Sequence, residues 1–525
     1  MSYPFQGKSI IGFSRSEASG DAGSAVNPAS GHKLEPEFHV PTNAEVDRAV
    51  ELARQAFPIY SALPGKERAG FLRKIAEKID AAVDQIAERG PLETGLPEPR
   101  MRGETARTTG QLRLFATMLE EGSWVDARIE HAQPDRAPIP KPDLRSMQRP
   151  LGPVAVFCAS NFPLAFSVAG GDTASALAAG CPVLVKAHSS HPGVAEIVGD
   201  CVLRAAQATG MPEGVFSMLY GSGREVGMTL VKHPVVQAVG FTGSRTGGLA
   251  LMDAAAKRPR PIPVYAEMSS VNPVVMMPKA VDERGEALAE GLFGSLTMGA
   301  GQFCTNPGLV FLPDGHGEVF LEKLKALIET APSAVMLNSG ICHAFKEASE
   351  SFGDSEGVET LARSSTKEVE ERAVPVVYSV NVRRFLEERL LHGEMFGPGT
   401  LIVRGSMDEI EATIPELEGQ LTATIHGTEE ELAKRPRLLA SLERRAGRLV
   451  FNGFPTGVDV CSAMVHGGPF PATSDGRSTS VGTMAIHRFC RPVSWQAFPA
   501  AALPAELHDD NPLGIQRMVD GEFGR

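Results

Sequence analysis

The chain has 525 residues, enough for two or three domains that each bury an apolar core. Its composition, 42% hydrophobic and 22% charged, is that of an ordinary globular protein, and 51 basic against 63 acidic side chains give a net charge of −12. This charge, without any basic run, excludes a protein that holds nucleic acid by counterion release.

No apolar stretch reaches the ~20 residues of a membrane span, and the N-terminus lacks the basic start and apolar core of a signal peptide. We therefore expect a cytoplasmic protein without a membrane partner. The seven cysteines have no repeated spacing and no CxxC, and the thirteen histidines form no HxxxH or HExxH. These patterns predict reduced thiols and no metal site.

The first helices are predicted between residues 42 and 90. Thr42 with Glu45 three residues later is a capping-box signature, and the apolar spacing that follows predicts a helix that ends at Pro58. A second amphipathic helix follows, with Gly90 as its predicted stop.

A third helix is predicted over roughly 102–119, and its Arg107 and Arg113 are typical of a solvated face. The segment 126–147 is polar and rich in proline. That composition predicts an extended connector or an edge strand.

From Gly152 onward, short apolar runs alternate with helix-sized intervals. The predicted strands are 154–157, 182–186, 215–219, 235–241 and 261–267. Repeated βα units predict a parallel sheet covered by helices on both faces, in which ligands bind beyond the carboxyl ends of the strands. Polar residues stand at these ends: Asn161, Lys186, Gly243, Ser244 and Glu267.

A second alternating region runs to about residue 468. It contains a predicted strand at 309–312 and predicted helices near 319–329 and 410–416. The final segment, 486–495, reads as an edge strand, which is a place for another subunit to pair.

The stretch MGAGQFCTNP, residues 298–307, has the features of a nucleophile site. Cys304 lies among glycines and amides, where a turn can bring a backbone N–H close to its sulfur. A thiol that attacks a carbonyl needs a base, and Glu267 closes a predicted strand that could face the same pocket. Asn161 could donate its amide to the oxyanion that forms.

The segment GFTGSRTGG, residues 240–248, follows a predicted strand and opens a predicted helix. Its backbone N–H groups, with Gly243 and Gly247 in the turn, can meet a pyrophosphate. Taken alone, the segment is equally typical of an ordinary glycine turn, and no GxGxxG follows the first strand.

In order and approximate spacing, six segments resemble the aldehyde dehydrogenase superfamily. They are SNFPL with Asn161, PVLVK with Lys186, FTGS with Ser244, the strand that ends at Glu267 before Asn272 and Pro273, GQFCT with Cys304, and EMFGP from Glu394 to Pro398. The resemblance covers roughly residues 20–500. It implies an α/β fold with a Rossmann-type parallel-sheet cofactor domain, an α/β catalytic domain and a small β oligomerisation flap.

The domain boundaries that the resemblance implies are discontinuous. Residues 1–127 and 148–266 would form the dinucleotide-binding domain, 267–478 the catalytic domain, and 128–147 with 479–500 the flap, leaving 501–525 as a C-terminal tail. The flap implies a homodimer or homotetramer.

By the same resemblance the reaction is NAD(P)-dependent oxidation of an aldehyde to a carboxylic acid, through a thiohemiacetal and a thioester. Cys304 would be the nucleophile, Glu267 the general base and Asn161 the oxyanion donor. Lys186 would hold the adenosine ribose and Ser244 the pyrophosphate, with Glu394 and Phe396 at the nicotinamide ribose and ring.

Two departures from the family pattern bear on the cofactor. The chain reads EMSS where two glycines are usual, so Ser269 and Ser270 place side chains near the presumed nicotinamide face. Ser189 stands where members that prefer NAD carry a glutamate, and its hydroxyl leaves room for a 2′-phosphate, with His188 nearby. We therefore predict a preference for NADP, with NAD as the alternative cofactor.

The segments 107–116 and 453–483 resemble the branch of the superfamily that oxidises 2-oxoglutarate semialdehyde to 2-oxoglutarate. A carboxylate tail needs an arginine or several amides at the far end of the pocket, and Arg113 is the predicted choice. The other predicted lining residues are Phe162, Phe166, Phe454 and Cys461.

Three alternatives stay open at this point. One is a general NADP-dependent dehydrogenase of medium-chain or long-chain aliphatic aldehydes. A CoA-acylating dehydrogenase is the second, although that chemistry does not need Glu267. The third is a non-catalytic binding protein on the same scaffold, which the presence of Cys304, Glu267 and Asn161 disfavours.

Overall fold

The computed structural model describes residues 3–18, 20–367, 369 and 371–525. The part of the chain up to Pro150 contains two short strands, a hairpin, four helices and two further strands. These are β1 (Ile10–Ile11), β2 (Ser14–Arg15), β3 (Ala22–Val26), β4 (Lys33–His39), α1 (Asn43–Tyr60), α2 (Gly65–Ala81), α3 (Val83–Thr94), α4 (Glu98–Glu121), β5 (Arg128–Glu130) and β6 (Leu144–Pro150).

Strands and helices then alternate up to Glu267. They are β7 (Val154–Phe157), α5 (Gly171–Ala179), β8 (Val183–Lys186), α6 (Pro192–Ala208), β9 (Phe216–Leu219), α7 (Met228–Lys232), β10 (Ala238–Thr242), α8 (Arg245–Ala256) and β11 (Val264–Glu267).

The rest of the chain forms a second alternating region and three terminal strands. The elements are β12 (Val274–Met276), α9 (Pro278–Thr297), β13 (Leu309–Pro313), α10 (Glu318–Glu329), β14 (Ala334–Val335), α11 (Ser339–Gly353), β15 (Glu359–Arg363), β16 (Arg372–Ala373), β17 (Val376–Asn381), α12 (Val382–Glu387), β18 (Gly399–Gly405), α13 (Met407–Thr413), β19 (Gln420–His426), α14 (Glu429–Ala433), α15 (Pro436–Arg445), β20 (Ala446–Phe451), β21 (Cys490–Gln496), β22 (Arg517–Val519) and β23 (Glu522–Gly524).

The first large sheet has seven strands in the order β11-β10-β7-β8-β9-β1-β2. Strands β7 to β11 pair in parallel, and β1 joins β9 antiparallel. The apolar side chains of α2, α4, α5 and α6 pack on one face, and those of α1, α7 and α8 pack on the other. The predicted parallel sheet with helices on both faces is confirmed.

The second large sheet also has seven strands, in the order β15-β17-β18-β13-β12-β19-β20. All neighbours pair in parallel except β15, which runs antiparallel to β17. Helices α9 and α10 cover one face, while α11, α12, α13 and α15 cover the other. The segment between β11 and β12 therefore connects two separate hydrophobic cores, one around each large sheet.

A third sheet has five strands in the order β21-β6-β5-β22-β23. β21 pairs antiparallel with β6 and forms one border of the sheet, so the predicted edge strand is confirmed. The segment 501–525, predicted only as a tail, adds β22 in parallel with β5 and then β23. Among the described residues, no helix is both long enough and apolar enough to cross a bilayer.

Two helix boundaries differ from those predicted. The capping box of Thr42 and Glu45 is present, but α1 continues through Pro58 to Tyr60. The predicted second helix is two helices, α2 and α3, and Gly90 lies inside α3. A Cβ at Gly90 would lie 2.4 Å from the sulfur of Met101 on α4, so this glycine permits close helix packing and does not end a helix.

Candidate active site

Polar residues at the carboxyl ends of neighbouring strands meet at one edge of the first sheet. The register pairs Phe157 of β7 with Lys186 of β8, and Thr242 of β10 with Glu267 of β11. Asn161 follows β7 directly in the chain. This edge faces the second core, which carries Cys304 between α9 and β13.

The loop that carries Cys304 has an unusual backbone. After α9, Gly299, Ala300 and Gly301 all have positive φ, and a Cβ at Gly301 would lie 2.3 Å from the backbone of Gly397. Only glycine fits there. The glycine-rich turn predicted before the cysteine is therefore present, and it leaves Cys304 half-buried.

Asn272 fixes the other side of this loop. Its Nδ2 donates to the carbonyl oxygens of Cys304 (2.8 Å) and Asn306 (2.9 Å), and its backbone has a φ of 49°. Ser270 Oγ lies 2.9 Å from Asn272 Oδ1 and accepts the Leu421 N–H at 3.0 Å. The serine pair that departs from the family pattern is thus accommodated, because Ser270 joins a buried hydrogen-bond network.

Cys304 and Glu267 come together with a third residue, His466. The Nε2 atom of His466 lies 3.5 Å from Cys304 Sγ and 3.0 Å from Glu267 Oε1. Ser480 Oγ donates to Glu267 Oε2 at 2.8 Å. The sulfur, a carboxylate oxygen and an imidazole nitrogen all lie within 4.8 Å of one another. This cluster brings a thiol, a carboxylate and an imidazole together at one point of the site.

The electrostatics of this cluster set the resting protonation states. Burial and the Glu267 carboxylate raise the pKa of the Cys304 thiol well above its ordinary value. Burial would also raise the pKa of Glu267, but the attraction and hydrogen bond of His466, with the hydrogen bond from Ser480, lower it overall. The site therefore holds a protonated thiol beside an ionised carboxylate, so attack on a carbonyl requires a proton acceptor.

Asn161 lies at the same edge. Its Nδ2 donates one hydrogen bond to the carbonyl of Gln302, at 3.0 Å, two residues before Cys304. An amide nitrogen carries two hydrogens, so one N–H remains for a developing oxyanion.

The residues predicted for the cofactor lie along the ends of β8 and β10. Lys186 is buried, burial lowers the pKa of its ammonium, and no carboxylate contributes to that pKa. Ser244 is exposed, caps α8 and accepts the Gly247 N–H at 3.2 Å. A Cβ at Gly243 would lie 2.7 Å from the tip of the Phe241 ring, so a side chain at this position would have to displace that ring. The ammonium of Lys186, which has no carboxylate partner among the described residues, and the exposed N-terminus of α8 are both suited to binding a dinucleotide.

The remaining residues predicted to bind the cofactor lie in two places, just beyond β8 and near Cys304. Ser189 is exposed just beyond β8, and the neighbouring ring of His188 stacks on His191 at 5.5 Å. Burial lowers the pKa of His188 well below its ordinary value, so the ring is neutral at pH 7. Glu394 and Phe396 lie on the Cys304 side, where burial raises the pKa of Glu394 to about 8 despite hydrogen bonds from Ser269 and the Ser270 backbone.

An aromatic cluster lies beside the cysteine. Phe162 contacts the rings of Phe166 and Phe303 edge-on, each at a centroid distance of 5.3 Å, and the Phe166 ring lies 5.8 Å from that of His466. Of the predicted lining residues, Phe162 and Phe166 are therefore next to the cluster of Cys304, Glu267 and His466.

The other three predicted lining residues have different surroundings. Arg113 forms an ion pair with Asp80 at 2.5 Å, with 45% of its side chain exposed. Phe454 packs into the core beneath α9, with its ring 4.6 Å from that of His426. Cys461 is exposed.

Sequence reasoning missed Arg107, for which a solvated face was predicted. Its guanidinium lies over the rings of Phe162 (5.5 Å) and Phe166 (5.4 Å), and its Nε and Nη2 are shielded from solvent without a partner among the described residues. Burial lowers its pKa from the ordinary arginine value. A signal was present in the sequence, because the polar residues Arg100, Glu104, Arg107 and Gln111 recur at helical spacing beside the apolar stripe of α4.

His466 was also missed, because it belongs to no motif and lies far along the chain from both of its partners. The one local signal is a polar ring just before the paired glycines at 467–468, in a chain region with few other titratable groups.

The chain is similar to known proteins over nearly its whole length. The sequence profile described as the aldehyde dehydrogenase family matches residues 15–469. The chain is 51% identical over 519 residues to alpha-ketoglutaric semialdehyde dehydrogenase 2 of Azospirillum brasilense, covering 98% of this chain and 99% of that one. It is 46% identical over 524 residues to alpha-ketoglutaric semialdehyde dehydrogenase of Acinetobacter baylyi, with 98% of each chain covered.

The fold is also found among solved structures. A crystal structure of an E. coli NADP-dependent enzyme superposes with a TM-score of 0.79 at 24% identity, covering 94% of this chain and 98% of that one. The profile spans most of the sequence and the two relatives align over nearly all of it. The chain belongs to the aldehyde dehydrogenase family.

Proposed function

We propose that this aldehyde dehydrogenase oxidises 2-oxoglutarate semialdehyde to 2-oxoglutarate, with NADP as its preferred cofactor. The observation that carries the substrate assignment is Arg107, a cation with unpaired N–H groups among apolar rings near Cys304. The charge of Glu104 offsets part of this cation, but N–H groups left unpaired in such a place cost free energy unless an anion accepts from them. The two relatives with nearly full coverage bear names for this same reaction.

In the proposed mechanism Cys304 Sγ attacks the aldehyde carbon. Asn161 Nδ2 and the backbone N–H of Cys304 donate to the resulting oxyanion, and each such donor contributes roughly 3–4 kcal/mol. Glu267, held ionised by His466 and Ser480, later takes a proton from the water that hydrolyses the thioester.

A bound nicotinamide would accept the hydride that the tetrahedral adduct releases. The residues present fit such a group, because no carboxylate among the described residues competes for Lys186 and the N-terminus of α8 at Ser244 is exposed. Lys186 would hold the adenosine ribose, and Ser244 with Gly243 and Gly247 the pyrophosphate. Glu394 and Phe396 would hold the nicotinamide half.

The carboxylate tail of the substrate is assigned to Arg107 in place of Arg113. Both lie on α4 and both line a cleft of about 600 Å³ together with Val458 and Val460. Arg113 already has a carboxylate partner in Asp80, whereas Arg107 has none among the described residues. The Phe166 ring lies against both the Arg107 guanidinium and the ring of His466, and His466 contacts Cys304, so Arg107 is near enough to bind the far end of a short substrate.

Steady-state kinetics with two aldehydes test the proposed substrate. We expect kcat/KM for 2-oxoglutarate semialdehyde to exceed that for hexanal by about 100-fold, because a desolvated arginine–carboxylate pair contributes at least about 2 kcal/mol. Glutaric semialdehyde, which keeps the carboxylate but lacks the keto group, serves as the matched comparison. A higher kcat/KM for hexanal would favour the aliphatic aldehyde dehydrogenase instead.

The proposed cofactor preference depends on Ser189. Replacing it with glutamate places a carboxylate where a 2′-phosphate would lie, and we expect the NADP to NAD ratio of kcat/KM to fall about 100-fold. Ser189→Ala is the matched control, because it removes the hydroxyl without adding charge. A wild-type enzyme that already prefers NAD would contradict the assignment.

We also propose that the protein forms a homo-oligomer through β21. This seven-residue strand is the border of the third sheet, and its outward backbone groups have no strand beside them among the described residues. A border of this kind pairs readily with a second copy.

A further inference from the structure

Two loops that leave the carboxyl edge of the first sheet carry residues predicted for the site. The loop after β7 carries Asn161, and the loop after β8, which leads directly into α6, carries Ser189. Loops are held less firmly than the strands they leave, so the position of each side chain depends on what fixes its loop. Each loop is fixed by one buried glutamate, Glu104 on α4 for the first and Glu93 on α3 for the second.

Glu104 joins α4 to the loop that carries the proposed oxyanion donor. Its side chain is 1% exposed. The Oε1 atom accepts the backbone N–H groups of Leu164 and Ala165, each at 3.0 Å, three and four residues after Asn161. The Oε2 atom accepts from Arg100 Nε, one helical turn earlier on α4, at 3.2 Å. The carboxylate therefore connects a rigid helix to the backbone that follows Asn161.

Glu93 repeats this arrangement at the next strand of the sheet. It is 0% exposed, and its two oxygens accept the N–H groups of Gly193 at 2.8 Å and Val194 at 3.0 Å, in the first turn of α6. Arg89, one turn earlier on α3, donates from Nε at 2.9 Å. A Cβ at Gly193 would lie 2.6 Å from both Glu93 Oε1 and Arg89 Nε, so the close approach depends on glycine.

Each carboxylate supplies an acceptor to two neighbouring backbone N–H groups that are shielded from solvent. Removing the carboxylate leaves these donors unpaired, and the loop then shifts toward water or other acceptors. The side chains of the loop shift with it. A displacement of about 1 Å in a group that faces the reacting atoms is enough to lower a rate about 100-fold.

We infer that Glu104 and Glu93 are positioning residues with separate tasks. Glu104 sets Asn161 against the oxyanion of the thiohemiacetal, and Glu93 sets the loop after β8 against the adenosine ribose of the cofactor. The inference rests on the roles proposed above for Asn161 and for this loop. Neither carboxylate touches substrate or cofactor in this account, because each acts through the backbone that it holds.

Replacing each glutamate with methionine tests the two tasks, because methionine is similar in length but is only a weak acceptor. For Glu104→Met we expect kcat to fall about 100-fold, while the Kd of the nicotinamide cofactor changes by less than about threefold. For Glu93→Met we expect that Kd to rise about 30-fold, with kcat at saturating cofactor within about threefold of wild type. The Kd is measured by isothermal titration calorimetry without aldehyde.

Glutamine variants give a rescue that depends on the hydrogen-bond pattern. In Glu104 one oxygen accepts both N–H groups, so the single carbonyl oxygen of Glu104→Gln replaces it, and we expect kcat within about threefold of wild type. In Glu93 the two N–H groups go to different oxygens, so Glu93→Gln keeps only one of them. We expect its Kd to lie between those of wild type and Glu93→Met. Full rescue in Glu93→Gln with none in Glu104→Gln would overturn the inference.

A double-mutant cycle with Asn161→Ala separates positioning from a general loss of structure. If Glu104 acts through Asn161, adding Glu104→Met to Asn161→Ala lowers kcat by less than about threefold more, because the amide that Glu104 positions is already absent. Losses in kcat that multiply would overturn the inference for Glu104. Loss of kcat and of cofactor binding together in both methionine variants would overturn it for both glutamates.

Aspartate variants keep the test decisive if a methionine variant fails to fold. Aspartate keeps the charge but is shorter by one methylene, about 1.5 Å, so it does not reach both N–H groups. We expect kcat to fall about tenfold in Glu104→Asp and the cofactor Kd to rise about fivefold in Glu93→Asp. Unchanged values in both would overturn the inference. All measurements use the aldehyde and the nicotinamide cofactor that the wild type prefers, so a different substrate or a preference for NAD would contradict the proposed function alone.

Discussion

Replacing Cys304 with alanine is expected to lower kcat for aldehyde oxidation by about 10⁴-fold, the largest effect of any single substitution in this protein. Without the sulfur no thiohemiacetal forms, so the remaining oxyanion donors have no adduct to stabilise. The measurement is NADPH formation at saturating aldehyde and cofactor.

The matched control is Cys201→Ala. Cys201 is buried in α6, where its thiol contacts the carbonyl of Lys78, remote from the catalytic cluster. We expect its kcat to stay at the wild-type value. Residual turnover of Cys304→Ala above about a hundredth of wild type would mean that another group performs the attack.

Replacing Arg107 with methionine should abolish most of the preference for an acidic substrate. Methionine keeps an unbranched apolar stem against Phe162 and Phe166, so the packing changes little. Losing the buried cation should cost about 2–5 kcal/mol in the transition state for 2-oxoglutarate semialdehyde, so kcat/KM should fall by a factor of about 100 or more. The kcat/KM for hexanal should hold or rise.

Arg113→Met is the matched comparison, since both arginines lie on α4. Exposed ion pairs such as that of Arg113 with Asp80 contribute at most about 1 kcal/mol, and we expect this variant to retain its preference. Equal losses for both aldehydes in Arg107→Met would show a packing defect. A selective loss of kcat/KM for 2-oxoglutarate semialdehyde in Arg113→Met would show instead that Arg113 binds the substrate carboxylate, as the sequence alone suggested.

Much of this architecture could be predicted because its signals are local. The runs that became β7 and β8 are continuous and apolar, and the polar residues that end them lie where parallel strands place ligands. The glycines before Cys304 likewise predict a turn that needs glycine. At Gly301, for example, a Cβ would collide with the backbone of Gly397.

The parts that could not be predicted depend on partners distant in the chain. Gly90 looked like a helix stop, and only the position of Met101 on the next helix explains it. Arg107 looked solvated because nothing local shows that rings from the β7–α5 loop cover it. His466 reaches Glu267 across 199 residues, and no spacing rule links them.

The terminal strands have one more consequence. The third sheet has unequal borders: on one side the seven-residue β21, and on the other the three-residue β23, which carries the charged Glu522. A short, charged border is a poor template for backbone pairing, whereas a long one is a good template. If two subunits pair through β21 as proposed, the sheet extends in a single direction, so pairing of the two long borders would saturate the contact and give a finite particle in place of a fibre.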